Sequence, residues 1–367
     1  MEKLHNLMEL GQSVWLNQLE HSLIASGGLM AYIPKGVRGV ILNPDTFEKS
    51  IVSGNVYDSR IKKLAMEGMS ASETYDTLIV DDIRQAADIL RPVFNETKGG
   101  DGYVSMGINP HLAYDKDGSI KEAERLFNLV HRPNLMVAIP ATAEGVLATR
   151  ELISEGVNVN VTMISSLSQF EMTAEAYISA LENYAPKVET LMQVSSVAAF
   201  YVRRVDVVVD RMLDELGTTE AMSLKGRIGI ANAKLTHHRF MEIFKGRRWD
   251  FLAGRGAWAQ RLLFGGTNDS DPQNSDLLYM ENLIGPNTVI AVPPETLDAF
   301  MEHGTVATTL NRGLEEARDQ LEQLAELGIH MEDVTRQLLD DGMKEFKEPY
   351  DRSIAAIKNK QVDFMVT

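Results

Sequence analysis

The stretch LMVAIPATAEGVLATRELISEGVNVNVTMI, residues 135–164, reads as strand, helix, strand. LMVAIP (135–140) and VNVTMI (159–164) are too short for helices and rich in Val and Ile, which suits strands buried on both faces. Between them, EGVLATRELISEG (144–156) spaces its apolar residues three and four apart, and Gly156 supplies a helix stop. A strand, a helix and a second strand joined in this way predict a right-handed βαβ unit with parallel strands.

The same alternation runs outward in both directions. SVWLN (13–17), GVILN (39–43), YVSMGI (103–108), QVSSVAAF (193–200), RLLFGGT (261–267) and TVIAVPP (288–294) read as further strands. IRQAADILRPVF (83–94), AERLFNLVHR (123–132), AEAYISALENYA (174–185) and VDVVVDRMLDELG (205–217) carry the helical spacing. Eight strands alternating with helices predict a closed (β/α)8 TIM barrel with extra terminal helices. No Gly/Ser linker, charge block or internal repeat divides the chain, so residues 1–367 are expected to form one domain. Its helical extension, about 311–361, is expected to pack on the barrel.

Composition narrows the function classes. Lys and Arg number 36 against 52 Asp and Glu, a net charge of −16, and no basic patch appears, so a nucleic-acid partner is not expected. No apolar run reaches the roughly 18–20 residues that span a bilayer, and the start MEKLHNLMELGQ does not read as a signal peptide. Cysteine is absent, which removes disulfides, thiolate metal sites and cysteine nucleophiles and fits the cytoplasm. A small-molecule substrate is the expected partner; the sequence leaves the oligomeric state open.

In a barrel, chemistry gathers where the strands end. The segments at those ends resemble the transaldolase family, almost from end to end. LGQSVWLNQ (10–18) is similar to the family's LGQSIWLDN, and RGVILNPDTFEKSI (38–51) to RGVTSNPTIFEKAI. DGYVSMGINPHLA (101–113), NLMVAIPATAEG (134–145), GVNVNVTMISSLSQF (156–170) and VSSVAAFYVRRVD (194–206) also have family counterparts in the same order. IANAKLTHHRFMEIF (230–244) and ENLIGPNTVIAVPPETLDAF (281–300) are family-like as well. The resemblance implies a transaldolase-like barrel of the class I aldolase superfamily.

It also implies a lysine Schiff base, with which the family transfers a dihydroxyacetone unit between sugar phosphates. An amine is needed because the iminium it forms accepts the electrons of the breaking carbon–carbon bond. At the family's lysine position this chain has Ala138. Asn17 stands for the first-strand aspartate, Gly107 for the third-strand glutamate, and Ile41 and Leu42 for the Thr-Ser pair before Asn43. In the phosphate-binding segment the family's serine is replaced by Ala199, while Arg204 is kept; Thr162, near the family's water-positioning threonine, is also kept. Each lost acid or base typically costs about 10²–10⁴ in rate.

These departures lead to the expectation of a repurposed barrel. It would run a lysine-independent lyase, isomerase or cyclase step on a less charged molecule, without transaldolase activity. The alternatives are a pseudo-transaldolase that only binds or regulates, Mg²⁺-dependent chemistry on a diphosphate, and a transaldolase with a relocated nucleophile. Asn17, Asn43 and Thr162 are the candidate catalytic residues. Ile41, Leu42, Asn109, Ser165, Tyr201 and Arg204 are the candidate substrate contacts, with Gly107 and Ala138 as the floor. No cofactor is required; if Mg²⁺ takes part, Asp269 and Asp271 are its expected ligands.

Several residues also have plainer readings. Arg204 could pair with Asp206 or Asp210 as a structural ion pair. His237 and His238 point about 100° apart on one helix and cannot chelate together. Asp81-Asp82 reads as the start of a helix, where carboxylates favour the dipole. Lys187 and Lys234 sit at no strand end.

Overall fold

The computed structural model describes residues 2–267 and 275–366. Eight parallel strands close into a barrel in chain order: β1 (Gln12–Leu16), β2 (Val37–Ile41), β3 (Tyr103–Gly107), β4 (Leu135–Pro140), β5 (Val159–Ile164), β6 (Ser196–Tyr201), β7 (Arg261–Gly265) and β8 (Thr288–Val292). β8 pairs with β1, so no strand edge is left open. The expected (β/α)8 barrel is therefore the fold. β4 and β5 have the expected bounds. β6 begins three residues later than expected, because Ser195 gives its N–H to the Asn158 side chain before the strand starts.

The barrel interior beneath the mouth is filled by Trp15, Tyr103, Met136, Val197, Leu263 and Val289. Gly39 makes room for the indole, since a Cβ there would lie 2.5 Å from the Trp15 ring. Asp101 fixes the N-terminal end of the barrel. It accepts hydrogen bonds from Trp15 Nε1 at 2.7 Å and from Ser13 Oγ, and pairs with Arg261 at 3.4 Å.

The acidic pair at 81–82 needs correction. Both residues lie mid-way along the helix Ala71–Glu96, whose true start is the capping box of Ser70 and Glu73. Asp82 is buried and receives hydrogen bonds from Tyr57 and Arg60, with the His21 ring 2.8 Å away. It is a packing anchor between helices.

The C-terminal helix, Met331–Val366, returns across the C-terminal mouth of the barrel. It rests on the helices Pro44–Val52, Asp58–Met66 and Ala71–Glu96. Arg352 grips Glu48 through two nitrogens at 2.8 and 3.0 Å, and His111 meets Asp351 at 2.8 Å. No helix among the described residues is long and apolar enough to cross a membrane.

Candidate active site

Side chains two apart on a strand share a face, and the strand ends use that rule repeatedly. Ser105 and Gly107, Ala138 and Pro140, Asn160 and Thr162, Ala199 and Tyr201, and Leu263 and Gly265 all line one cavity of about 200 Å³ at the barrel mouth. The β3–β4–β5 register sets Gly107 beside Ala138 and Ala138 beside Asn160, so three neighbouring strands present small or amide groups at one level. A Cβ built on Gly107 meets nothing within 4 Å, so the space there is open.

Asn17, Ile41, Leu42, Asn43, Thr162, Tyr201 and Arg204 line this cavity together with Gly107 and Ala138. Asn43 also has a structural task, since its Oδ1 accepts the Asp45 N–H and caps the helix Pro44–Val52. Two of the expected contacts lie off this wall. Asn109 is absent from the cavity wall because its side chain accepts the His111 N–H and shapes the turn after β3. Ser165 is buried, with its N–H on Gln169 and its carbonyl receiving Asn232, so it serves the loop after β5. Asp269 and Asp271 lie outside the described residues, and no group of three or more His, Asp or Glu among the described residues could hold a metal ion.

Arg204 pairs with a carboxylate that local sequence does not suggest. Its Nη2 meets Glu345 of the C-terminal helix at 2.5 Å, and its guanidinium lies 5.4 Å from the Tyr201 ring centre. The two nearby aspartates are occupied elsewhere. Asp206 receives the Gly229 N–H and the Tyr279 hydroxyl, and Asp210 receives the Gly226 N–H. Burial raises the Tyr201 phenol above its usual range, and Arg204 opposes that shift.

Several wall residues escaped the sequence reading, among them Asp45, Asn160, Glu345 and Tyr350. Asp45, in the first turn after Asn43, has its carboxyl pushed up by burial first and then by Glu48. Asn160 donates to Ser105 Oγ at 3.0 Å, while its Oδ1 is buried without a hydrogen-bond partner. That unmet acceptor typically costs about 1–3 kcal/mol, and a ligand hydroxyl aimed at it would recover part of this. Glu345 and Tyr350 come from the C-terminal helix; Tyr350 stacks edge-on against Tyr75 with ring centres 5.0 Å apart. Asn160→Ala is expected to lower kcat/KM about tenfold and Tm by only a few degrees, because loss of the Nδ2–Ser105 hydrogen bond is partly offset by removal of the unmet acceptor. Steady-state kinetics alongside a thermal melt checks this.

No lysine lines the cavity among the described residues. Lys187 binds Glu155 and the Ser154 carbonyl, and Lys234 sits on the helix Ile228–Ile243, so neither has entered the site. The histidine reading holds: His237 is buried against the Pro286 carbonyl, and His238 faces Glu242.

Comparison with known proteins settles the family. The family described as Transaldolase/Fructose-6-phosphate aldolase matches residues 14–357. A protein named Transaldolase from Trichodesmium erythraeum is 39% identical over 362 residues, covering 96% of this chain and 95% of that protein. One of the same name from Thiobacillus denitrificans is 39% identical, covering 96% and 98%. Transaldolase 1 of Streptomyces coelicolor is 40% identical, covering 96% and 93%. These relatives overturn the expectation of a repurposed barrel without transaldolase activity: likeness at this level over nearly the whole of both chains points to the family's own reaction. The chain belongs to the transaldolase/fructose-6-phosphate aldolase family.

Proposed function

We propose that this protein is a transaldolase-type enzyme, moving a three-carbon unit from a ketose phosphate such as fructose 6-phosphate to an aldose phosphate. It is a divergent member, with Ala138 at the position where the family carries its Schiff-base lysine. The observation that carries the reading is identity of 39–40% over at least 93% of both chains with proteins named for that activity. A cavity at the barrel mouth that keeps Asn43, Thr162 and Arg204 supports it. Residues 1–367 work as one domain, since the C-terminal helix supplies part of the wall. The cysteine-free composition suits the cytoplasm.

Breaking the carbon–carbon bond beside a ketone requires the proton of the neighbouring hydroxyl to leave and the electron pair to reach the carbonyl oxygen. Hydrogen-bond donors aimed at that oxygen stabilise the charge, though less powerfully than an iminium. Tyr201, Ser105 and Thr162 offer hydroxyl donors at the strand ends, and Asp45 offers a carboxyl to take the proton. Arg204 receives the phosphate, where a guanidinium can make paired charge-assisted bonds. A shape-matched cavity with few polar anchors orients the rest of the sugar.

The test is transfer from fructose 6-phosphate to erythrose 4-phosphate. Slow turnover is expected, about 10⁴-fold or more below that of a lysine-bearing relative, since two acid–base groups as well as the amine are replaced. Arg204→Met is expected to raise KM for the ketose phosphate about tenfold or more. Absence of transfer at high enzyme concentration, with intact fold, overturns the reading.

A further inference from the structure

We propose that Glu345 is a resident counter-ion for Arg204 and thereby selects ligands by charge. The anionic head of an incoming ligand must displace a carboxylate that belongs to the chain's own C-terminal helix. This rests on the reading that Arg204 receives a phosphate.

The geometry makes the displacement a side-chain event. Glu345 lies 2.5 Å from Arg204 Nη2, yet its side chain is 61% exposed, against 31% for the arginine. It can therefore swing into water while Arg204 stays. The helix backbone beneath it is held on the far side of Pro349 by the Arg352–Glu48 and His111–Asp351 pairs. Arg204 is held against the same backbone at Gly342, where an added Cβ would lie 3.1 Å from Nη1 and 2.2 Å from the Met163 methyl. Met163 itself adopts a left-handed φ of 66°, a conformation a side-chain-bearing residue keeps only when its surroundings enforce it. Gly342 thus lets the helix close onto Arg204, and Glu345, one turn on, meets the guanidinium.

An exposed ion pair is worth little, so a strong anion can win the arginine from it. A phosphate dianion competes at twice the charge of a carboxylate, whereas a neutral or singly charged head gains little by the exchange. The contact therefore sets a threshold that favours phosphorylated ligands over their unphosphorylated or carboxylate analogues.

The experiment is calorimetric titration with inorganic phosphate of the full-length protein and its Glu345→Gln, Arg204→Met and double variants. Glu348→Gln serves as a control for net charge, since Glu348 lies on the same helix and pairs with Arg352. Glu345→Gln is expected to bind phosphate about three- to fivefold more tightly and Glu348→Gln less than about twofold more tightly. The gain should vanish in the double variant. If Arg204→Met weakens phosphate binding but Glu345→Gln matches the parent or only Glu348→Gln, the counter-ion role fails and the phosphate reading stands. If Arg204→Met binds phosphate as the parent does, the anion seat is elsewhere and both fail.

Discussion

Replacing Ala138 with lysine is expected to turn a protein that borohydride cannot trap into one that it can. In the parent, fructose 6-phosphate plus borohydride should leave the mass unchanged, because no amine among the described residues reaches the cavity. In Ala138→Lys, mass spectrometry should find a reduced three- or six-carbon adduct on residue 138. Ala138 faces a cavity, and the neighbouring Gly107 leaves open space, so a longer side chain has somewhere to go without displacing packed atoms. Partial enclosure at the cavity wall disfavours the ammonium and leaves more of the nucleophilic amine. Turnover should rise about 10²-fold or more, with Asn17 still unable to carry the proton that an aspartate would. An adduct in the parent would show that another amine reaches the ketone and would overturn the assignment. A variant that folds but forms no adduct would show that residue 138 does not face the bound ketone.

Asp101→Ala is expected to cost about 3–5 kcal/mol of stability without touching the mouth. The carboxylate side chain is 8% exposed and that of Arg261 17%, so removing the acid strands a guanidinium at the closed end of the barrel. Trp15 Nε1 and Ser13 Oγ lose their acceptor at the same time. Asp101→Asn keeps an acceptor for the indole and should lose roughly half as much. Urea denaturation midpoints decide it; equal midpoints for parent and Asp101→Ala would show that the network contributes nothing.

The barrel was legible because buried parallel strands announce themselves. LMVAIP and VNVTMI carry no charge to confuse the pattern, and their bounds are those of β4 and β5. The part of the site on strand ends followed from that reading, since period-two alternation aims Ala138, Thr162 and Tyr201 inward together. Local chemistry next to the strands is less legible. Asn109 and Ser165 sit where a barrel keeps its site, yet turn formation claims the side chain of one and the backbone of the other. Glu345 was out of reach for a different reason. It lies 141 residues from Arg204, and helical periodicity says which face of a helix is apolar but not which end of the barrel it crosses. Nothing in the local pattern separates Asp45 from an ordinary first-turn carboxylate, although its place after a barrel strand sets it at the mouth.

The most direct test follows carbon itself. Fructose 6-phosphate labelled with ¹³C at C2 is incubated with erythrose 4-phosphate and the parent protein, and the mixture is read by NMR. Transaldolase-type transfer predicts that the label appears at C2 of a seven-carbon ketose phosphate, slowly in the parent and faster in Ala138→Lys. Label that stays wholly in fructose 6-phosphate, in a sample whose phosphate binding still depends on Arg204, would contradict the assignment of this reaction to the barrel mouth.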